Sequence, residues 1–291
     1  MSGTAPGDRV AAGIGLGVVA YALFASHDAS NKFLAAGLPV WQVLFFRSVT
    51  IVTLVMVFGR GKLVARAIET PLKWQLLGRG TLTLTAWLLY YTASRDMALA
   101  PLMTLYFSSP ILVAVLAIPV LGETVTAGRW AALAVGFAGV LVVSDPLGVR
   151  ASLATLMVLA ASVLWAVAIL LMRLIARREA SMVQMLYQNG LFLVVTGAVT
   201  WLVWVPPSPL QFGLLLLTGM LGGAGQFVLF EGIRLTPASV MSTVEYTGLI
   251  WAFLLGFLVW GDVPSLSVWV GAGLIFASGL FLLGMERRRA S

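Results

Sequence analysis

The chain contains no cysteine and only one histidine, His27, among its 291 residues. Without cysteine it can form neither a disulfide nor a thiolate metal site. A single histidine cannot supply the paired histidines of a zinc protease, and no G-x-S-x-G sequence marks a hydrolase nucleophile. We therefore expect no enzyme activity, no bound metal and no cofactor.

Charged residues are also scarce. They make up 10% of the chain, whereas soluble proteins have about 25%. Hydrophobic residues reach 60%, and the mean hydropathy is +1.00. No charged side chain occurs between Glu179 and Glu231, a stretch long enough for two membrane spans of about 20 residues each. The sequence therefore predicts an integral membrane protein.

Apolar stretches of similar length follow one another along the whole chain, separated by polar or Pro/Gly breaks. A length of about 20 residues is typical of transmembrane helices, because barrel strands have about ten residues of alternating polarity. We predict an all-α integral membrane protein with ten transmembrane helices, at 10–31, 39–58, 73–94, 98–121, 127–144, 151–173, 182–205, 209–231, 237–260 and 265–284.

The two halves of the chain share one pattern. Each half has a proline, an apolar stretch, a Gly-acid pair and a tryptophan seven residues after the acid: Pro101, Gly122-Glu123 and Trp130, then Pro237, Gly261-Asp262 and Trp269. Because five spans are an odd number, the second copy starts on the opposite side of the membrane, as in secondary transporters. We predict inverted five-helix repeats in 1–145 and 146–291, for which a monomer is sufficient.

Lysine and arginine predict the orientation. With the N-terminus in the cytoplasm, thirteen of them fall on the cytoplasmic side and three on the opposite side. Positive residues favour the cytoplasm, so both termini are predicted there. The net charge of +7 is spread singly along short connections, without a basic and aromatic patch. Lipid head groups are therefore the expected partner of these charges, and nucleic acid is not.

Three pairs of segments carry a family resemblance: Phe24–Lys32 and Trp165–Arg173, Ala93–Pro101 and Leu229–Pro237, and Leu121–Glu123 and Trp260–Asp262. On these segments the chain resembles the drug/metabolite transporter superfamily, in its ten-span form with two tandem five-helix domains. The second copy departs from the pattern, because Leu249 occupies the place of Pro110 and Asp262 replaces the usual glutamate.

Within that superfamily, the run Thr236–Trp251 is similar to bacterial inner-membrane exporters of aromatic amino acids. The resemblance implies efflux of Phe, Tyr and Trp, and of other amino acids or organic cations, from the cytoplasm across the bacterial inner membrane. A multidrug or other metabolite exporter of the same fold is the alternative. A channel is less favoured, because Glu245 could gate a pore but no filter-like sequence is present.

Ionisable residues deep in spans are the first site candidates. Arg47 lies about eight residues, some 12 Å, into the second span, where it must face a cavity or a partner. It is either a counter-charge for a substrate carboxylate or part of a structural ion pair. Glu245, equally deep in the ninth span, could couple protons, hold a substrate ammonium or satisfy polar groups. His27, on one helical face with Asn31, is either a proton sensor or an interfacial hydrogen-bonding group.

Aromatic and polar side chains inside the spans complete the predicted site. Polar groups there require partners away from lipid, and aromatic rings could stack on an aromatic substrate. With Arg47 and Glu245, the predicted substrate-binding residues are Trp87, Tyr91, Tyr106, Ser109, Trp165, Tyr187, Gln188, Gln226 and Tyr246. Packing is the alternative role for each of them.

Two backbone features are also expected in the spans. Pro110 and Pro119 should remove hydrogen bonds inside the fourth helix. The freed carbonyls either bind substrate or form a hinge, or the prolines only kink the helix. The glycines of the eighth span, Gly219, Gly222, Gly223 and Gly225, should permit close contact between helices.

Overall fold

Helices account for nearly all of this computed structural model, which describes residues 6–35, 37–59, 62–93, 96, 102, 105–144, 152–261 and 266–288. No strand occurs among these residues. The helices are α1 (Pro6–Ala35), α2 (Val40–Gly59), α3 (Lys62–Glu69), α4 (Lys73–Ala93), α5 (Ser109–Leu121), α6 (Ala127–Ser144), α7 (Leu153–Ala176), α8 (Ser181–Thr200), α9 (Pro209–Leu235), α10 (Ala238–Glu245), α11 (Thr247–Trp260) and α12 (Leu266–Arg288).

Six stretches of these helices are long and apolar enough to cross a membrane: Arg9–Asn31, Val40–Gly59, Leu153–Ala176, Ser181–Thr200, Pro209–Leu235 and Ala238–Val259. Three shorter apolar helices cover Ser109–Leu121, Ala127–Val142 and Trp269–Met285. The helix α4 has 21 residues but is less apolar, since it carries Arg79 and four threonines. The chain is thus an all-helical, multi-pass membrane protein, and the count of ten spans in two inverted repeats stays a prediction.

Two of the predicted spans are interrupted in the structure. The predicted ninth span, 237–260, divides into α10 and α11 at Tyr246. There the N–H of Tyr246 bonds to Thr243 at 3.3 Å and the N–H of Leu249 bonds to Tyr246 at 3.1 Å, with three-residue instead of four-residue spacing. In the predicted fourth span, α5 begins only at Ser109, and Pro110 lies in its first turn. The expected kink at Pro110 is wrong, because a first-turn residue needs no intrahelical N–H bond.

The repeated Gly-acid pair has a defined geometry in the first half. Gly122 and Gly261 end α5 and α11 with φ of 66° and 71°, a left-handed conformation that favours glycine. Glu123 then accepts hydrogen bonds from the N–H groups of Ala238 (2.8 Å) and Ser239 (3.2 Å). The carboxylate thereby caps the start of α10 and fixes the end of α5 against it. Pro101 and Asp262 lie outside the described residues.

Glycines let α9 pack closely against α1 and α2. A Cβ atom at Gly219 would lie 2.7 Å from Thr50 Oγ1, and one at Gly225 would lie 3.0 Å from the Phe24 ring. A Cβ atom at Gly222 would lie 2.8 Å from Arg47 Nε. The close packing expected from these glycines is confirmed, and it brings polar side chains of α1 and α2 against α9.

A hydrogen-bonded network lies at the end of the protein where α1 begins; we call it the polar end (Arg66, Glu179, Ser181, Glu231 and Arg234). Arg66 Nε donates to Glu179 Oε1 at 2.7 Å, and Arg234 Nη2 donates to the Glu179 carbonyl at 2.9 Å. Ser181 Oγ donates to Glu231 Oε1 at 2.6 Å. The network joins α3, the α7–α8 connection and the end of α9.

The Glu179 carboxylate lies in the connection between α7 and α8, outside the membrane-spanning segments. Burial raises its pKa, but hydrogen bonds from Thr70, the Ala180 N–H and Arg66 outweigh burial and hold the pKa below its usual value. A carboxylate with a lowered folded-state pKa stabilises the fold above its unfolded-state pKa. That contribution is lost as the pH falls through the lowered value.

We predict that Gly219→Ala destabilises the protein by about 1–3 kcal/mol, because the new methyl group overlaps Thr50 and forces α2 and α9 apart. The measurement is the thermal unfolding midpoint of the purified protein in detergent. Gly213→Ala is the matched control on the same helix. No atom lies within 4 Å of its Cβ position, so this change should stabilise by about 0.5–1 kcal/mol. Equal effects of the two substitutions would contradict the packing argument.

We predict that Glu179→Gln lowers the thermal unfolding midpoint at neutral pH. The midpoint of this variant should also decrease less than that of the wild type as the pH is lowered. The wild-type midpoint should drop as the pH passes below the ordinary glutamate value, about 4.3, toward the lowered pKa. Glu69→Gln, at an exposed carboxylate of α3, is the control and should retain the wild-type profile. If the midpoint of Glu179→Gln fell at acid pH as steeply as that of the wild type, this carboxylate would not stabilise the polar end.

Candidate functional site

A cavity of about 290 Å³ lies among α1, α4, α7, α11 and the segment that precedes α5. Aromatic side chains form most of its wall; we call it the aromatic cavity. The aromatic lining residues are Tyr21, Phe24, Trp87, Tyr90, Tyr91, Tyr106, Phe107 and Trp165. The ionisable groups His27, Asp28 and Glu245 complete the polar part of the wall.

The rings of the wall support one another edge to face. The Tyr90 and Tyr106 centroids are 4.9 Å apart, and those of Tyr90 and Tyr91 are 5.8 Å apart. Trp87 continues this row, with its ring 6.4 Å from that of Tyr91. Such contacts hold aromatic side chains in defined orientations, so ring faces and phenol hydroxyls are presented to the cavity in a fixed arrangement.

Glu245 places a buried carboxylate in the cavity wall. It is the last residue of α10, next to the interruption at Tyr246, and its residue is 6% exposed. The indole Nε1 of Trp165 donates to Glu245 Oε1 at 3.1 Å. The Tyr21 side chain also hydrogen-bonds this carboxylate. Two bonds still leave lone pairs available, so Glu245 can accept a hydrogen bond from an ammonium group or take up a proton.

A second acid lies at the exposed side of the cavity. The Asp28 side chain is 71% exposed, and its Oδ1 atom is 3.0 Å from His27 Nδ1. The Nδ2 atom of Asn31 lies 3.3 Å from the same ring, so the predicted shared face of His27 and Asn31 is confirmed. Among the described lining residues two are carboxylates and none is lysine or arginine. The wall therefore favours a positively charged group.

Arg47 lies directly behind this wall. Its guanidinium carbon is 4.8 Å from the centre of the Trp87 ring, a cation–π contact, and the residue is 2% exposed. Its Nε and Nη1 atoms have no hydrogen-bond partner among the described residues. No acid within ion-pair distance of Arg47 occurs in that part of the chain either. Trp87 thus separates a buried, unpaired cation from the cavity.

Five of the eleven predicted substrate-binding residues line the cavity: Trp87, Tyr91, Tyr106, Trp165 and Glu245. Arg47 lies one ring behind it. The structure does not bring the other five to the cavity: Ser109, Tyr187, Gln188, Gln226 and Tyr246.

Hydrogen bonds and packing explain where these five residues lie. Tyr187 donates its hydroxyl to the Ala67 carbonyl at 2.7 Å, which ties α8 to α3. Tyr246 is fully buried and donates to the Phe107 carbonyl at 3.4 Å. Their aromatic rings therefore join helices instead of facing the cavity. Three further polar residues, Ser109, Gln188 and Gln226, are buried between helices.

Three lining residues of α1 were missed by the sequence analysis, as were Tyr90 and Phe107 elsewhere in the wall. Tyr21, Phe24 and Asp28 are spaced by three and four residues and so share one helical face. Asp28 is the acid of this face. An aromatic face that ends on an acid, inside a span, was the available signal. No group of three potential metal ligands occurs among the described residues.

A larger hollow, about 640 Å³, lies on the outer surface between α4 and α7. Its lining includes Trp74, which is 81% exposed, and Leu171. This hollow is an open, largely apolar groove, and no ionisable group lies among its described lining residues. The aromatic cavity is therefore the better candidate site.

Three named relatives of this chain are transporters. The chain is 23% identical to the S-adenosylmethionine uptake transporter of Rickettsia prowazekii, over 91% of this chain and 90% of the relative. It is 26% identical to the riboflavin transporter of Rhizobium johnstonii over 77% and 74%. It is 26% identical to the pseudopaline exporter CntI of Pseudomonas aeruginosa over 94% and 97%.

Another protein, known from a crystal structure, shares the fold of this chain. It superimposes with a TM-score of 0.78 over 96% of this chain and 99% of the other, at 17% identity. A family model also matches twice, over residues 11–145 and 152–284. Because these two matches cover nearly the whole chain, the protein belongs to the EamA-like transporter family, a group of small-molecule membrane transporters.

Proposed function

We propose that this protein exports aromatic amino acids from the cytoplasm by alternating access. In this proposal it resides in a bacterial inner membrane with both termini in the cytoplasm. The halves 1–145 and 146–291 rock about the aromatic cavity, and a monomer carries out transport. The observation that carries the proposal is the combination of eight aromatic lining residues with one buried carboxylate, Glu245.

Each part of an aromatic amino acid has a matching group. The substrate ammonium meets Glu245, and the substrate ring stacks on tyrosine and tryptophan faces of the wall. The substrate carboxylate pairs with Arg47, which requires that Trp87 move aside. A zwitterion satisfies both charges, whereas a polyanion would place negative charge against Glu245 and Asp28.

The size of the cavity supports a small substrate. Its volume of about 290 Å³ lies at the lower end of the range for small-molecule sites, about 300–1,000 Å³. An amino acid suits this volume better than a nucleoside derivative or a flavin does. The cavity lies nearer the end where α1 finishes than the polar end, and its Asp28 side chain is 71% exposed. In the proposed orientation this corresponds to the state that releases an exported substrate.

A sulfonium or other organic cation is the second candidate substrate. The wall attracts cations, and a relative that matches over 91% of this chain is named for S-adenosylmethionine uptake. S-adenosylmethionine combines an aromatic base, a sulfonium cation and an amino-acid group, so it would use the same aromatic and acidic side chains. Its larger size places it second.

We predict saturable uptake of labelled phenylalanine into liposomes that contain the purified protein. Unlabelled tyrosine and tryptophan should compete, and unlabelled phenylalanine trapped inside should stimulate uptake, because a carrier exchanges substrate. A proton gradient, applied and then collapsed, tests coupling. Competition by S-adenosylmethionine alone would identify the second candidate. Flux that does not saturate would indicate a channel. The absence of flux for every amino acid would contradict the proposed substrate.

We predict that Glu245→Gln raises KM for phenylalanine about 10–100-fold, since a hydrogen bond to a charged group contributes about 1.5–3 kcal/mol. The same change should abolish any stimulation by a proton gradient while exchange persists.

Two competing probes test the two charges of the substrate separately. Phenethylamine lacks the carboxylate, and phenylpropionate lacks the ammonium group. Glu245→Gln should weaken phenethylamine inhibition and spare phenylpropionate, and Arg47→Gln should do the reverse. Exposed Glu69→Gln is the control, and unchanged inhibition by both probes in both variants would overturn the assigned roles.

A further inference from the structure

The open hollow between α4 and α7 has room for a ligand and plays no part in the proposed transport; we call it the α4–α7 groove. Its volume is about 640 Å³, and its described lining residues are Trp74, Gln75, Gly78, Thr81, Leu82 and Leu171. The Thr81 hydroxyl donates to the Leu77 carbonyl at 3.0 Å, so it is already satisfied within α4. The groove therefore presents a largely apolar wall.

The middle of the groove is open at Gly78. No atom lies within 4 Å of the position that a Cβ atom would take there. A larger side chain at this position would occupy the groove instead of overlapping the protein. Gly78 thus offers a way to fill the groove by substitution.

The course of the two helices shows which ends meet at the groove. The later part of α4, at Trp87, shares the aromatic cavity with the middle of α7, at Trp165. The earlier part of α4, at Gly78, shares the groove with Leu171, which lies further along α7. The two helices are therefore antiparallel, and the start of α4 lies at the same end as the end of α7.

This end of the groove carries exposed positive charges. Lys73 is the first residue of α4, and Arg177 and Arg178 follow directly after α7. All three are exposed. The Thr70 side chain hydrogen-bonds Glu179, which brings the segment before α4 against the segment after α7. The three cations therefore border the same mouth of the groove.

Acids do not neutralise these cations. Among the described residues, no carboxylate lies within ion-pair distance of Lys73, Arg177 or Arg178. Glu179 is buried and pairs with Arg66 at 2.7 Å, and Glu69 is the exposed acid of this region. The mouth of the groove thus has a net positive charge.

An apolar groove with a positive mouth matches the two parts of an anionic phospholipid. An acyl chain gains little by exchanging the bilayer for a protein groove, because lipid tails are as apolar as leucine. Preference for one lipid must therefore come from its head group. Basic pockets between transmembrane helices bind anionic head groups. Trp74, 81% exposed beside Lys73, is typical of the head-group level.

We propose that the α4–α7 groove binds an anionic phospholipid. One acyl chain lies along the groove beside Gly78 and Leu171, and the phosphate head group contacts Lys73, Arg177 and Arg178. The lipid thereby bridges α4 and α7 at the polar end. This binding does not rest on the proposed transport function.

The test is native mass spectrometry of the full-length protein, released from mixed micelles with equal amounts of phosphatidylglycerol and phosphatidylcholine. The wild type should retain one phosphatidylglycerol with a preference of about tenfold or more over phosphatidylcholine. Lys73→Gln and Arg177→Gln should each weaken phosphatidylglycerol binding about fivefold and leave phosphatidylcholine binding unchanged. Gly78→Leu should weaken binding of both lipids, because its side chain occupies the groove.

Two control variants should keep the wild-type affinities. Arg9→Gln removes an exposed positive charge at the same end of the protein, but on α1. Gly213→Leu adds the same side chain as Gly78→Leu at an exposed glycine of α9 whose Cβ position is also open. All substituted residues are exposed, so each variant should unfold in lipid-free detergent at or above the wild-type midpoint.

Three results would overturn the proposal. The first is a wild type that retains both lipids equally, or a preference that survives in the double variant Lys73→Gln/Arg177→Gln. The second is an equal loss of preference in Arg9→Gln, which would show an effect of net charge alone. The third is a wild-type dimer that is lost in Gly78→Leu, which would show that a second copy of the chain occupies the groove.

Discussion

The absence of water from the membrane interior is the constraint on which this structure depends. Backbone groups there must pair within helices, so polar side chains gather where helices are interrupted. The two interruptions, before Ser109 and at Tyr246, are joined by the bond from the Tyr246 hydroxyl to the Phe107 carbonyl. They hold Tyr106 and Glu245 at the cavity wall. The interruptions therefore create the site without exposing backbone to lipid.

Glycine spacing determines how the polar side chains are distributed around α9. A Cβ atom at Gly222 would lie 2.8 Å from Arg47 Nε and 2.9 Å from the His27 ring. The missing side chain is thus what allows α1 and α2 to bring both groups against one turn of α9. This packing stabilises the helix contacts and also decides which ionisable residues adjoin the aromatic cavity.

The sequence predicted how deep residues lie within the spans, but it did not predict which face of a helix meets the cavity. Apolar length predicted α1, α2, α7, α8 and α9 near their observed bounds, because about 20 residues must cross the membrane interior. Depth also identified Glu245 as a functional candidate. Tyr187 also lies inside a predicted span, but it faces α3. Which face of a helix meets a cavity depends on tertiary contacts, and these are not encoded in the local pattern.

In the proposed mechanism, the arrangement of charges couples substrate binding to conformational change. In this state the wall offers Glu245 and Asp28, which favour a cation, while Trp87 screens Arg47. A ligand shifts an equilibrium only through contacts that differ between two states. Under the proposed roles, a zwitterion would gain its Arg47 contact only after Trp87 moves, so it would favour the rearranged state by the energy of that ion pair. A simple cation has no such gain, and it would bind this wall without favouring the rearrangement.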